Sequence, residues 1–210
     1  AADLAYGGQG APLTPLLDEA LIGRGGGWRA VLNLGGIANI TLIPPANGID
    51  QLASVLGWDC GPANTLLDLA IAKISHGELS FDHDGLIAAS GCVDEEILDK
   101  WLKEPFFNLS PPKSTGREQF GLKDLERRML EASYMSSSNF IATITAFTAA
   151  IIAQDLDNLY RQKLIRPIEL LVAGGGSRNR TLLREIVARC RGIQVKTIDG
   201  KGIPVETREA

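Results

Sequence analysis

Short apolar runs bounded by glycine and proline alternate along the chain with longer stretches in which apolar residues return every three to four positions. The first pattern predicts strands and the second helices. Residues 28–34 (WRAVLNL) predict a strand, Gly35-Gly36 a tight turn, and residues 37–43 a second strand stopped by Pro44-Pro45. That spacing suits an antiparallel hairpin. A third strand is expected over residues 51–58, after the Asn47-Gly48 turn. Helices are predicted over residues 15–22, 65–74, 94–102 and 122–133, while Pro111-Pro112 keeps residues 105–116 irregular. Residues 135–154 carry no charge, so a membrane span has to be weighed. Ser136, Ser137, Ser138, Asn139, Thr143, Thr145 and Thr148, with Asp155 and Asp157 just beyond, favour instead a helix buried in protein and continuing to about Lys163. Residues 168–173 then predict a strand, Gly174-Gly175-Gly176 a turn, Ser177 or Arg178 the start of a helix to Cys190, and residues 193–198 a last strand. Three strands, then helices, then strand-turn-helix-strand predict a mixed α/β layer fold.

Composition narrows the class. The 210 residues are 45% hydrophobic and 22% charged, enough to bury a sizeable core and unlike a disordered, collagenous or disulfide-scaffold chain. Lys and Arg number 21 against 25 Asp and Glu, a formal charge of -4, which predicts no nucleic acid and no anionic membrane as partner. Cys60, Cys92 and Cys190 are scattered without a C-x-x-C pair, as reduced thiols of a cytoplasmic protein are. Two histidines argue against a multi-histidine zinc site. Glycine is in excess, 23 residues, and much of the excess sits beside strand-like runs. The chain opens on Ala1-Ala2-Asp3 without an initiator Met or a leader pattern and stops on Arg208-Glu209-Ala210, which leads to the expectation of a piece of a longer protein.

Five runs carry candidate chemistry. In LNLGGIANIT, Gly35 and Gly36 let backbone amides approach an anion with no Cβ in the way, flanked by Asn33 and Asn39; a plain hairpin with asparagines bonding local backbone is the alternative. In LLVAGGGSRN, a hydrophobic strand delivers Gly174, Gly175 and Gly176 into a helix start, where free amides and the helix dipole suit an anion or a flat nucleotide. It is neither a P-loop nor a G-x-G-x-x-G fingerprint, and a flexible connection reads from the same residues. In DCGPANTLLD, Asp59, Gly61 and Asn64 can bind sugar hydroxyls or a hydrated metal; equally, Asn64 is an N-cap and Asp68 a solvated helix-face charge. Asp3 precedes GGQGAP and, taken alone, is a turn residue. Lys113 and Arg117 in PPKSTGRE, behind a stiff proline lead, clamp an anionic group or pair at the surface.

In this order the runs AADLAYGGQGAPLTP, VLNLGGIANIT, GWDCGPANTLLD, PPKSTGREQF and LLVAGGGSRNRTLL resemble the anhydro-N-acetylmuramic acid kinase family, of the acetate and sugar kinase, Hsp70 and actin superfamily, over essentially the whole chain. The resemblance implies an α/β fold, a ribonuclease-H-like mixed sheet with flanking helices forming one lobe of a two-lobed enzyme, with ATP in the cleft. It implies opening of the 1,6-anhydro ring of the amino sugar by water with phosphorylation of O6, giving N-acetylmuramic acid 6-phosphate. By match to the family, Asp3 is the general base. Asn33, Gly35 and Gly36 form the second phosphate loop, and Asp59, Gly61 and Asn64 a motif facing the cleft. Gly174, Gly175, Gly176 and Asn179 form the adenosine motif, and Arg117 is a further cleft candidate. Mg2+ is expected with ATP, its ligands unassigned, and a homodimer accords with the family.

Cys60 stands where the family carries Thr and Ala63 where it carries Gly, departures expected to touch substrate specificity more than fold. Nothing matches the family's Gly-Thr-Ser/Met-Asp-Gly loop for the β- and γ-phosphates, and the helix after Gly202-Ile203-Pro204 is cut short. The chain is therefore expected to be a C-terminal lobe that needs its N-terminal lobe and is inactive alone. The rival readings are a non-catalytic nucleotide-binding module and a kinase of the same superfamily acting on another sugar or acyl substrate.

Overall fold

The structure, a computed structural model, describes residues 14–198. Five strands form one sheet: β1 (Arg29–Leu34), β2 (Ile37–Ile43), β3 (Leu56–Pro62), β4 (Glu169–Ala173) and β5 (Gln194–Thr197), in the order β3-β2-β1-β4-β5. β2 runs antiparallel to both neighbours, while β1 pairs with β4 and β4 with β5 in parallel. This is the ribonuclease-H-like mixed sheet with flanking helices. β4 is buried at every residue, as a central parallel strand must be, and β5 alternates exposed and half-buried positions at the edge.

The helices are α1 (Thr14–Ile22), α2 (Asn64–Ile74), α3 (Leu86–Ala89), α4 (Glu95–Leu102), α5 (Leu122–Glu131), α6 (Ser137–Lys163) and α7 (Arg180–Arg189). α6 is long and apolar enough to cross a bilayer, but 89% of its most apolar window is buried inside the fold. Its polar residues are satisfied there. Thr145 Oγ1 donates to the Ile141 carbonyl at 2.8 Å, and Thr148 Oγ1 to the Pro62 carbonyl at 3.2 Å. Around it lies the main core, including Trp58, Trp101, Phe107 and Phe147. The other sheet face holds a small cluster, Val31, Ile43, Leu171, Ala173 and Ile198, packed against Ile22 of α1.

Two sequence expectations are displaced. β3 lies over Leu56–Pro62 rather than residues 51–58, so Asp59-Cys60-Gly61 belongs to the strand. The reason is burial: Trp58 and Cys60 face the core on alternate positions, whereas Ile49 and Leu52 are solvent-exposed. Trp58 pairs with Ile40 and Asp59 with Asn39, with a bulge between Ala38 and Asn39. The helix after the triple glycine also starts later. Gly175–Arg178 forms a single 3-10 turn, and Asn179 caps α7 by accepting the Leu182 amide at 2.9 Å.

One buried ion pair fixes the 110s loop. Lys113 Nζ donates to Asp155 Oδ1 of α6 at 2.7 Å, with both side chains almost fully buried, and Trp58 Nε1 donates to Asp155 Oδ2 at 3.0 Å. Burial pushes the Asp155 carboxyl up, and Lys113, Trp58 and Cys60 beside it pull it back down. The Lys113 carbonyl meanwhile accepts the Asp59 amide at 2.9 Å, so the loop lies along β3. Lys113→Met leaves a buried carboxylate unpaired and is expected to cost about 3–5 kcal/mol in urea unfolding. Adding Asp155→Leu should restore most of that loss; a single variant as stable as wild type would show the pair to be dispensable.

Candidate functional site

β1 and β4 are parallel neighbours with Asn33 opposite Ala173, so both end at the same level on the same sheet edge. Each then needs a turn. β2, which follows β1, lies on one side of this pair and β5, which follows β4, on the other, the arrangement that opens a crevice at carboxyl ends of strands. The Gly35-Gly36 and Gly174-Gly175-Gly176 turns meet there. Gly174 takes φ +82, and a Cβ on it would collide with Asn33 Oδ1 and stand 2.8 Å from the Leu34 carbonyl. A Cβ on Gly36 would stand 2.6 Å from Thr65 Oγ1, and Arg117 Nη2 lies 3.5 Å from the same point.

Asn64, the first residue of α2, joins the two turns. Its Nδ2 donates to the Leu34 carbonyl at 3.0 Å, and its Oδ1 lies 3.1 Å from where a Gly176 Cβ would be. The amides of Asn64 and Thr65 donate to the carbonyls of Gly35 and Gly36 at 3.1 and 3.0 Å, so the start of α2 is docked onto the first turn. Two cavities flank this strut. One of about 650 Å³ is lined by Gly35, Gly36, Thr65, Asp68 and Arg117; one of about 380 Å³ by Leu67, Phe81, Gly176, Arg178 and Asn179. Asn64, Asp68 and Gly175 line both, which makes them one cleft. A further cavity of about 620 Å³ lies between α4, α6 and α7 and is lined by none of the glycine-turn residues.

The family model described as anhydro-N-acetylmuramic acid kinase matches residues 1–210. The chain belongs to the anhydro-N-acetylmuramic acid kinase family. It is 64% identical over 209 residues to the anhydro-N-acetylmuramic acid kinase of Prochlorococcus marinus strain MIT 9313, covering 100% of this chain and 55% of that protein. It is 57% identical over 210 residues to the one of Parasynechococcus marenigrum strain WH8102, again covering 100% and 55%. The chain thus spans about half the length of the curated relatives it matches. Among solved structures it is similar to the activator of the 2-hydroxyisocaproyl-CoA dehydratase from Clostridium difficile with bound ADPNP, at 15% identity and a TM-score of 0.45, over 80% of this chain and 53% of that one.

The family motifs occupy unequal positions. Asn33, Gly35, Gly36, Asn64, Arg117, Gly174, Gly175, Gly176 and Asn179 gather at the cleft or in the turns that shape it. Asn64 is not the N-cap of α2; Ala63 holds that position without a side-chain bond. Two members of the third motif do not line the cleft. The Asp59 carboxylate accepts Ser114 Oγ at 2.9 Å and the Thr115 amide at 3.0 Å, tying down the 110s loop. Gly61 faces the core, where a Cβ would stand 2.8 Å from Phe107 and 2.9 Å from Ile151. Lys113 is committed to Asp155 and does not clamp an anion. Cys60 and Ala63 are fully buried, so the departures from the family pattern sit beneath the cleft, in core packing, rather than against a ligand. Asp3 and Gly202-Ile203-Pro204 lie outside the described residues.

Thr65 and Phe81 carry no signal in the sequence, and Asp68, expected there as a solvated helix-face charge, is a cleft residue as well. Asp68 lies one helical turn after Asn64 on the same face and is half-buried rather than solvated; burial pushes its carboxyl from 3.8 up to about 6, against the pull of Arg117. Thr65 Oγ1 is buried and has no hydrogen-bond partner among the described residues, a state that costs about 1–3 kcal/mol unless a ligand or water answers it. Phe81 sits in a loop with no periodicity to betray it.

Two tests follow from this geometry. Gly174→Ala is expected to lower stability by roughly 1–3 kcal/mol, since alanine must enter a positive-φ conformation against Asn33 and Leu34; an unchanged urea midpoint would contradict the tight turn contact. Asp68 loses its proton less readily in the fold than in the unfolded chain. Its contribution therefore declines as pH rises from 3.8 to about 6 and is level above that. Asp68→Asn should gain on wild type across that window, read as the difference in urea midpoints; a difference independent of pH would show that Asp68 titrates normally.

Proposed function

We propose that the chain is the C-terminal lobe of a two-lobed kinase whose intact form binds ATP in this cleft. That enzyme opens the 1,6-anhydro ring of anhydro-N-acetylmuramic acid and phosphorylates O6, giving N-acetylmuramic acid 6-phosphate. The observation that carries the reading is the meeting of two glycine turns across Asn64 in one cleft, within a chain of this family. Bare backbone at Gly35 and Gly36 suits phosphate oxygens, which the unpartnered Thr65 hydroxyl and the Arg117 guanidinium would meet as donors. Gly174, Gly175, Gly176 and Asn179 would take the adenosine.

In the reaction water adds to the anomeric carbon, the bond from that carbon to O6 breaks, and O6 receives the γ-phosphoryl group as ADP leaves. Asp3 is assigned as the base that takes the proton from the attacking water. Asp68 is the one carboxylate lining the larger cavity among the described residues, which suits Mg2+: that ion is usually held by one or two carboxylates together with nucleotide phosphates. When bound it would neutralise charge on the phosphates. The N-terminal lobe would supply the remaining phosphate contacts. Dependence on ATP and three free thiols accord with a cytoplasmic setting.

The test uses the full-length protein carrying this chain. ADP release should require the anhydro sugar, and a run in ¹⁸O-water should place the label on the anomeric carbon of the phosphorylated product. Asp3→Asn should lower kcat by at least ~10²-fold while nucleotide affinity holds. Turnover unchanged by that substitution, or no sugar-dependent ADP release, would favour a non-catalytic nucleotide-binding module.

A further inference from the structure

The smaller end of the cleft has a wall that the glycine motifs do not explain. Phe81 is 52% exposed, yet it lines the cavity of about 380 Å³ together with Gly175 and Gly176. An aromatic ring left half in water usually belongs to a mobile tip. This one stands on an anchored loop. Next to it, Asp82 is buried and its carboxylate accepts the amides of Ile87 at 2.9 Å and Ala88 at 3.0 Å, fastening the loop to α3. Thr181 Oγ1 of α7 donates to the Gly85 carbonyl at 2.7 Å. Gly85, at φ +73, packs so closely on α7 that a Cβ would collide with Asn179 Oδ1 and stand 2.8 Å from Thr181 Cβ. Between these anchors Asp84 is held at φ 53, a conformation side chains other than glycine's rarely take. The His83 ring stacks on Phe81 with centroids 5.4 Å apart and planes inclined by 30°.

The loop therefore adds a fixed aromatic ring to a cavity that the side-chain-free backbone of Gly175 and Gly176 also lines. That lining suits a flat ring: Phe81 offers a π-face, and bare glycine backbone lets a planar molecule approach the main chain. Its continuity with the phosphate end, through Asn64, Asp68 and Gly175, means that a ring seated there can belong to the same molecule as phosphates at Gly35-Gly36. We infer that Phe81 is the stacking platform for the purine base of the nucleotide, with His83 as the positioning residue that braces it. This inference rests on the nucleotide reading of the cleft and adds to it the residue that grips the base.

Titration calorimetry on the full-length protein carrying this chain, with ADP and with inorganic tripolyphosphate as separate probes, tests the assignment. Phe81→Ala should weaken ADP by about tenfold or more, the loss expected for one base–aromatic stack, and leave tripolyphosphate unchanged. Phe81→Trp, which keeps a π-face, should retain ADP affinity, and matching thermal melts show that each variant is folded. Equal ADP affinity in Phe81→Ala and wild type overturns the platform while leaving the nucleotide cleft standing. Equal weakening of both probes overturns it too, since the loop would then act on phosphate. Wild type that binds neither probe overturns the nucleotide reading itself, and the platform with it.

Discussion

The parallel pairing of β1 with β4 is the constraint on which the rest of this molecule depends. Because Asn33 stands opposite Ala173, two strands far apart in sequence end side by side and must both turn at one edge. Side chains in those turns would fill the space between them: at Gly174 a methyl would strike Asn33, and at Gly36 it would press on the Thr65 hydroxyl. Glycine there serves the packing of two turns against one another as much as the approach of any ligand. Asn64 completes the joint, bonded to Leu34 at the end of β1 and lying beside Gly176 after β4.

A second constraint acts from behind the sheet. α6 runs through the core carrying Asp155, and that carboxylate takes up both Lys113 and Trp58. Removing two charges from water costs about as much as their attraction returns, so the pair adds little net stability but strongly penalises any arrangement that separates its members. The loop that bears Arg117 consequently leaves the core at one defined place, beside β3, with the Asp59 carboxylate holding Ser114 and Thr115. Residues that look catalytic in the sequence, Asp59 and Lys113 among them, thus act at one remove: they place the loop, and the loop places an arginine at the cleft.

Much of this fold is legible in order and pattern. The hairpin around Gly35-Gly36, the buried course of α6 and the strand leading into the triple glycine all follow from local rules of apolar spacing and turn chemistry. β3 lies apart from its expected place because its register is decided by a neighbour. Residues 51–55 alternate plausibly, but only Trp58 and Cys60 find a core to enter once β2 is beside them. Gly61 shows the same limit at the site. Its motif suggests a position facing the cleft, and its environment is Phe107 and Ile151.

What the sequence by itself determined is therefore the set of parts: the order of most strands and helices, though not the bounds of β3, where the backbone is stripped to glycine, and to which family the whole pattern is similar. The tertiary structure alone decided which polar residues meet. Asp68 and Thr65 belong to the cleft because α2 docks on the first glycine turn, Phe81 because Asp82 and Gly85 fasten its loop to α3 and α7, and Lys113 leaves the list because α6 brings a buried carboxylate to it. The physical reason is range. Periodicity and turn preference are set by bonds between near neighbours, whereas burial, desolvation and the partner of a charge are set by whatever chain folds against it.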